Sequence, residues 1–370
     1  MSRFVFEIAK KADNKALQEI LLNSPMQGRI RMVFQRQPDF FQASMVGNAF
    51  SQTLVVRDMY KEKVVGLGSR SIRRLYVNGV VSDVGYLSDL RIGRSYRKGT
   101  LLARGYKHLL QLHNDKKTPI YLSTIAGDNT NALKTLTSRR GNLPVYYYFG
   151  HYYSVAIGAF RKKNSLGSGS VKIIRGSHEL IDGIVDCLHR NGAKKQFYPF
   201  YSKEDFILKK SIVKGFCIED FFVAIKDGKI VGVAGKWDQR SLRQVMILGY
   251  NGPMRIFKPI FNFAAKIMGF APLPDKGQMM NSFFLSFIAI DNNDIDIFRL
   301  LLRAAYNFCL EAKYSYFVVG LHSRDPLLAA LRGYYCIKYT TDLYIVCWPD
   351  GESAFSQLDN RTPYLEVGTL

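Results

Sequence analysis

The chain has 370 residues, of which 47% are hydrophobic and 22% charged, the balance of an ordinary globular protein. No window reaches the ~18 uninterrupted apolar residues of a membrane helix, and the N-terminus lacks the apolar core of a signal peptide. Five cysteines (Cys187, Cys217, Cys309, Cys336, Cys347) lie in the C-terminal half without C-x-x-C spacing, which argues for reduced thiols rather than disulfides or a zinc site. The length suits two domains and the whole pattern a soluble cytoplasmic protein.

The formal net charge of +22 is uneven. Residues 1–163 hold 27 Lys+Arg against 10 Asp+Glu, and residues 164–370 hold 25 against 20. Such an excess in one half points to a polyanionic ligand or an acidic partner, either nucleic acid or a carrier protein. A plain solubility charge is the alternative.

In chain order, residues 3–8 read as a strand and residues 14–22 as a helix with Leu17, Ile20, Leu21 and Leu22 on its apolar face. A loop and a helix near 40–46 follow, then a strand pair at 54–59 and 63–67. Asn78-Gly79 gives the strongest local hairpin signal, because that dipeptide supplies the positive φ angles of a type I′ turn. From Val80 the chain reads as a buried strand through Ile92, a basic loop Arg94-Ser-Tyr-Arg-Lys-Gly99, and a helix ending at His113, with Leu101, Leu102, Tyr106, Leu109, Leu110 and His113 on one side. A strand entering a helix through a basic, glycine-containing turn is a candidate phosphate site. The first helical N–H groups lack intrahelical partners and carry the positive end of the helix dipole. Gly99 permits close approach of an anion, and Arg94, Arg97 and Lys98 add full charges. Residues 119–125 form a further strand, 132–140 a helix capped by Asp128 or Asn129, and 145–157 an aromatic strand.

This order, and the segment Leu87-Ser-Asp-Leu-Arg-Ile-Gly-Arg-Ser-Tyr-Arg-Lys-Gly99 in particular, resembles the acetyl-CoA-dependent N-acetyltransferases of the GNAT superfamily. In that superfamily a fourth strand runs into an Arg/Gln-x-x-Gly-x-Gly/Ala loop over the CoA pyrophosphate. Here Tyr96 occupies the Arg/Gln place and Leu101 that of the second small residue. The resemblance implies a mixed-sheet α/β fold and acetyl-CoA as cosubstrate. It places Leu90, Ile92, Arg94, Arg97, Lys98, Gly99, Thr100 and Asn129 against the cofactor, with no metal.

Residues 161–170 are Gly/Ser-rich and basic, a linker between a GNAT domain at 1–160 and a second half. There the order repeats: a strand at 171–174, a helix at 179–189, a hairpin turning on Asp227-Gly228, and a strand near 244–249. An apolar-basic segment at 253–279, partly helical, has no counterpart in the first half. A strand at 283–290, a helix at 294–312, a strand at 316–321, a helix at 326–332 and two strands at 335–339 and 343–348 complete it. The expectation is tandem GNAT-like domains, the second at 171–350 and degenerate, followed by a polar tail at 351–370. Its loop carries Asp291, Asp294 and Asp296 where the first half has Arg97-Lys98-Gly99. Carboxylates stabilise a helix start and repel phosphates, so capping is expected there rather than CoA binding.

Transfer of an acyl group to an amine requires a base, a polarised carbonyl and a proton for the departing thiolate. The resemblance puts the polarising N–H near Leu90–Ile92 and the base at Asp89, with Asp83 second. The usual tyrosine acid is absent, Thr135 and Leu136 standing at the Leu-Tyr places. Tyr147, Tyr146 or Tyr148 is then the substitute, unless the thiolate leaves unaided. The leading reading is an acetyltransferase acting on an unidentified amine from the N-terminal domain. The alternatives are an aminoacyl-tRNA-dependent transferase of the tandem-GNAT type and a non-catalytic adaptor.

Overall fold

The computed structural model describes residues 2–26, 29–97, 99–138, 143–164, 166–167, 169–208 and 211–370. The first half contains β1 (Phe4–Ile8), α1 (Asn14–Leu22), β2 (Ile30–Gln35), α2 (Phe40–Ser44), β3 (Phe50–Asp58), β4 (Lys63–Val77), β5 (Val80–Ile92), α3 (Leu101–His113), β6 (Tyr121–Ala126), α4 (Thr130–Leu136) and β7 (Val145–Gly158). The second contains β8 (Val171–Arg175), α5 (Ile181–Gly192), β9 (Lys195–Gln196), α6 (Lys203–Ile207), β10 (Phe221–Lys226), β11 (Lys229–Trp237), β12 (Gln244–Tyr250), α7 (Pro253–Met268), β13 (Ser282–Ile290), α8 (Ile295–Glu311), β14 (Tyr316–His322), β15 (Cys336–Cys347), α9 (Glu352–Ser356) and β16 (Thr362–Pro363).

Local chemistry accounts for much of this. Asn78 and Gly79 both take positive φ, 53° and 84°, and join β4 to β5; Asp227 and Gly228 do the same between β10 and β11 at 49° and 74°. Leu17 and Leu21, one turn apart, are the buried residues of α1.

The halves share one twelve-stranded sheet in the order β1-β3-β4-β5-β6-β15-β7-β14-β13-β11-β10-β8. The order is palindromic about the β15–β7 pair. Within this sheet, among the described residues, only β5–β6 and β13–β14 are parallel. Each half sends its last strand into the other, so β7 pairs with β14 and β15 lies between β6 and β7. Sequence patterning suggests two strands at 335–339 and 343–348, because Thr340-Thr341-Asp342 is polar enough to read as a turn. The structure instead has one strand, and Asp342 is held in it by His151 Nδ1 at 2.7 Å. A second exchange is β12, which leaves its own half and pairs with β2, Gln244 opposite Gln35 and Tyr250 opposite Ile30.

The helix expected at 326–332 is a 3₁₀ segment, Pro326–Leu331. Residues 351–370 are not a solvated polar tail. Tyr364, Leu365, Glu366, Val367 and Thr369 are buried, because their polar atoms find partners inside. Tyr152 Oη donates to the Leu365 carbonyl at 2.9 Å, and Arg73 donates to both the hydroxyl and carbonyl oxygens of Thr369 at 2.9 and 2.7 Å. The largest core cluster fills the second half, with Phe206, Phe216, Phe221, Phe287 and Trp237 at its centre. All five cysteines are free.

Candidate active site

β5 and β6 pair only at Gly85↔Tyr121 and Tyr86↔Leu122. Beyond that point β5 runs on to Ile92 and β6 to Ala126 without pairing to each other, which leaves a V-shaped opening in the sheet. Gly85 permits the close approach at its apex, since a Cβ there would sit 2.0 Å from the Tyr121 ring. On the other edge of β5 the register to β4 shifts between Leu67 and Ser69. Asp89 lies in this bulge at φ +57°. A residue in left-handed geometry inside a strand re-aims the adjoining amides and side chain, and here it does so at the mouth of the opening.

The basic loop leaves β5 on the same side. Arg94–Tyr96 forms a 3₁₀ turn. Tyr96 points inward, its hydroxyl donating to Asp58 at 3.0 Å and its ring 5.6 Å from Lys61 Nζ. Tyr96 is therefore an anchor of the loop rather than a ligand contact. Arg97 Nε donates to the Ile92 carbonyl at 3.0 Å, while Arg94, Gly99 and Thr100 are exposed. Gly99 has φ +142° and open space where a Cβ would stand. The Thr100 side chain does not cap α3, so the first-turn N–H groups keep their donor capacity. Lys98 lies outside the described residues. Leu90 and Ile92 are on β5, Ile92 packing with Val56, Val65 and Leu101. Asn129 is the N-cap of α4, accepting from the Ala132 N–H at 3.2 Å, so its side chain is engaged there.

Asp89 faces a buried polar cluster that neither half makes alone. Arg36 pairs with it at 2.7 Å, also donates to Ser44 Oγ at 2.8 Å, and its guanidinium lies 4.8 Å from the Phe40 ring. Arg243, from the second half, donates to the Gly368 carbonyl at 2.7 Å and to the Leu370 carbonyl. Arg73 donates to Asn48 Oδ1 at 2.7 Å and stacks 4.0 Å over Tyr86, whose hydroxyl meets Thr124 Oγ1 at 3.0 Å. Gln244 closes the wall by bonding both the N–H and the carbonyl of Gln37. Burial alone would raise the Asp89 pKa, but Arg36, Arg91 and Arg243 outweigh it and hold the carboxyl below its ordinary range. Burial, and then repulsion by Arg36, push the Arg243 guanidinium down to about 10. The cluster thus holds an ionised carboxylate among a surplus of cations. Sequence reasoning singled out Asp89 and missed Arg36, Arg73 and Arg243. The usable signal was the presence of Arg70, Arg73 and Arg74 within one strand-length segment; for Arg243, contact with the first half depends on folding.

Asp83, the other carboxylate on β5, lies opposite Arg74 near the hairpin end, away from the bulge. Tyr147 stacks on Phe355 of α9 at 4.0 Å. Tyr146 and Tyr106 share a 2.6 Å hydrogen bond in the core. Tyr148 is half-exposed, edge-on to His151. His151 Nδ1 lies 2.7 Å from Asp342 Oδ1, which fixes the ring's orientation.

The second half repeats the opening but fills it. β13 bulges against β11 between Val233 and Gly235, with Phe287 at φ +57°, the counterpart of Asp89. There the Phe287 N–H donates to Glu366 Oε2 at 2.8 Å and the Ile288 N–H to Tyr364 Oη at 3.3 Å. Its loop carboxylates are also committed. Asp291 pairs with Arg190 at 2.9 Å, Asp294 caps α8 through the Asp296 and Ile297 amides, and Asp296 pairs with Arg299 at 2.7 Å. Among the described residues no group of His, Cys, Asp or Glu has the arrangement of a metal site.

No protein-family model matches the sequence, and no curated protein matches it. Solved structures do. The N-myristoyltransferase of Saccharomyces cerevisiae with bound myristoyl-CoA superposes with TM-score 0.60 at 14% identity, over 99% of this chain and 86% of that one. A GCN5-related N-acetyltransferase from Sphaerobacter thermophilus gives 0.55 at 9% identity over 100% and 99%. A GCN5-related glucosamine N-acetyltransferase region of a fungal multi-domain β-N-acetylglucosaminidase gives 0.61 at 10% identity, over 92% of this chain and 38% of that one. These likenesses show that the chain has the GNAT fold.

Proposed function

We propose that this GNAT-fold chain is an N-acyltransferase that moves an acyl group from a CoA thioester to an amine, from a site in its N-terminal half. Acetyl-CoA is the donor to test first. The observation that carries the reading is that β5 beyond Tyr86 leaves its β6-facing edge unpaired, is bulged at Asp89, and is continuous with an uncapped helix start behind Arg94, Arg97, Gly99 and Thr100. A diphosphate seated on the α3 amides and the loop cations would lay the pantetheine along the open edge of β5, with the thioester carbonyl against the amides near Leu90. Lys98 belongs to the same loop by sequence. Asn129 holds the far wall by capping α4.

In this mechanism Asp89, ionised at neutral pH, draws in the acceptor's ammonium and passes its proton to water, so that the free amine attacks the thioester carbon. The tetrahedral oxyanion is met by the β5 amides. Its collapse breaks the C–S bond and expels CoA thiolate; the nitrogen, now bonded to the acyl carbon, gives up its extra proton to solvent and the thiolate takes one up, leaving a neutral amide and CoA thiol. Tyr147 we place in packing, because its ring is spent on Phe355. Arg36, Arg73 and Arg243 favour an amine that also bears an anionic group, and disfavour polyamines. The filled counterpart in the second half supports a single donor site per chain.

Isothermal titration of CoA against wild type and the pair Arg97→Glu with Gly99→Asp tests the assignment. Wild type should bind and the variant should lose at least about tenfold, because a charge reversal and a carboxylate at the helix start both oppose the diphosphate. Equal binding by both would remove the site from this loop.

A further inference from the structure

One helix presents its apolar side to solvent. On α7, Ile256, Ile260, Phe263 and Ile267 stand at i, i+4, i+7 and i+11, a single stripe, and are 72, 63, 68 and 70% exposed. Phe257 and Met268 flank the stripe and are exposed too. The opposite side holds the helix to the body: Ala265 is buried, and the Phe261 ring packs on Phe160 and Phe270 at 6.0 and 5.2 Å. Phe160 also touches Tyr335 at 6.2 Å. Tyr335 and nearby Ile337, 83 and 71% exposed, add further exposed apolar surface beside the helix.

Beside this surface is a cationic cleft. Directly after Phe160, Arg161, Lys162, Lys163 and Asn164 form with Arg303 a depression of about 390 Å³. Lys163 is set over the Tyr306 and Tyr334 rings, and among the described residues Lys162 alone of the four cations pairs with a carboxylate, Glu311. Arg255 and Lys266 stand exposed on α7 itself. Glu311 and Asp275, acids of this region, are already paired, Asp275 with Lys258. An apolar stripe flanked by unopposed cations matches the two layers of an anionic bilayer surface, acyl chains below and phosphate headgroups above.

We propose that α7 and the 161–164/303 cleft form a docking surface for anionic phospholipid membranes. The stripe enters the headgroup boundary and the cleft receives a lipid phosphate. The proposal stands apart from the acyl-transfer reading, since binding is measured without turnover.

The test is flotation of the full chain with vesicles of phosphatidylcholine alone or mixed with phosphatidylglycerol. Partition into the mixed vesicles should exceed that into the neutral ones at least about tenfold and fall with added salt. Ile260→Ser with Phe263→Ser should weaken it at least about tenfold, and Arg161→Glu with Lys162→Glu should abolish the lipid preference. Phe263→Trp gives a direct reading, a blue shift of its emission when mixed vesicles are added. Equal partition into both vesicle types, an unshifted emission, or undiminished binding by the serine pair would overturn the proposal. So would sedimentation showing a lipid-free dimer that the serine pair dissociates, because the stripe would then be an interface between copies.

Discussion

Replacing Asp89 by Asn separates charge from geometry at the centre of the candidate site. Asn tolerates the left-handed φ of +57° nearly as well as Asp, so the backbone bulge survives and only the charge is lost. At the observed 2.7 Å the gross attraction to Arg36 is about 6 kcal/mol for an effective dielectric near 20. Both side chains are 12% exposed, so screening is modest. After the desolvation that the pair already bears, a loss of about 3 kcal/mol of stability is expected, since Arg36 and Arg243 would remain buried without an anion. Denaturant unfolding measures that, and release of free CoA thiol with a panel of amines measures turnover, expected to fall about 100-fold or more. The double variant Asp89→Asn with Arg36→Met removes the orphaned cation. It should recover most of the stability and none of the turnover. If turnover returned along with stability, Asp89 would be a structural counter-ion and the proposed role would be refuted.

Three further outcomes follow from the geometry. Gly85→Ala should cost upwards of ~2 kcal/mol, read by thermal or denaturant unfolding, because its Cβ would lie 2.0 Å from Tyr121 and that ring is held by Arg70 and His113. His322 has Nε2 on the Phe149 carbonyl and Nδ1 accepting from the Arg324 N–H, and burial drives its pKa down to about 4. The unfolded chain therefore takes up this proton first, and stability should fall by ~2 to 3 kcal/mol as pH drops from about 6.5 to about 4, a slope that His322→Asn should reduce. CoA should titrate at one equivalent per chain in wild type, whereas two equivalents would show that the Glu366 plug yields.

What could be read in the sequence was local. The Asn78-Gly79 and Asp227-Gly228 turns, the limits of α1 and α3, and the basic loop entering α3 are all set by residues within a few positions of one another. What escaped was set by distant partners. Asp342 sits in a strand because its carboxylate is held there by His151, 191 positions earlier, and nothing around 340–342 records that. The same holds for β12, whose partner is β2 rather than a strand of its own half, and for residues 364–369, whose polarity suggested solvent while their partners are Arg73, Tyr152 and the β13 amides.

The palindromic sheet explains why duplicated halves need not act alike. Because β7 and β15 are exchanged, the two V-shaped openings lie on either side of one shared strand pair, and the chain that follows β15 must pass between them. It enters the second opening, where Glu366 and Tyr364 meet the Phe287 and Ile288 amides, and continues to Arg73 beside the first. One segment thus closes one opening and lines the other with its last residues, next to Arg243 and Asp89. On this geometry the second half contributes to the first site by supplying its wall, and changes in residues 364–369 should disturb acceptor use in the N-terminal half before they permit CoA to enter the C-terminal one.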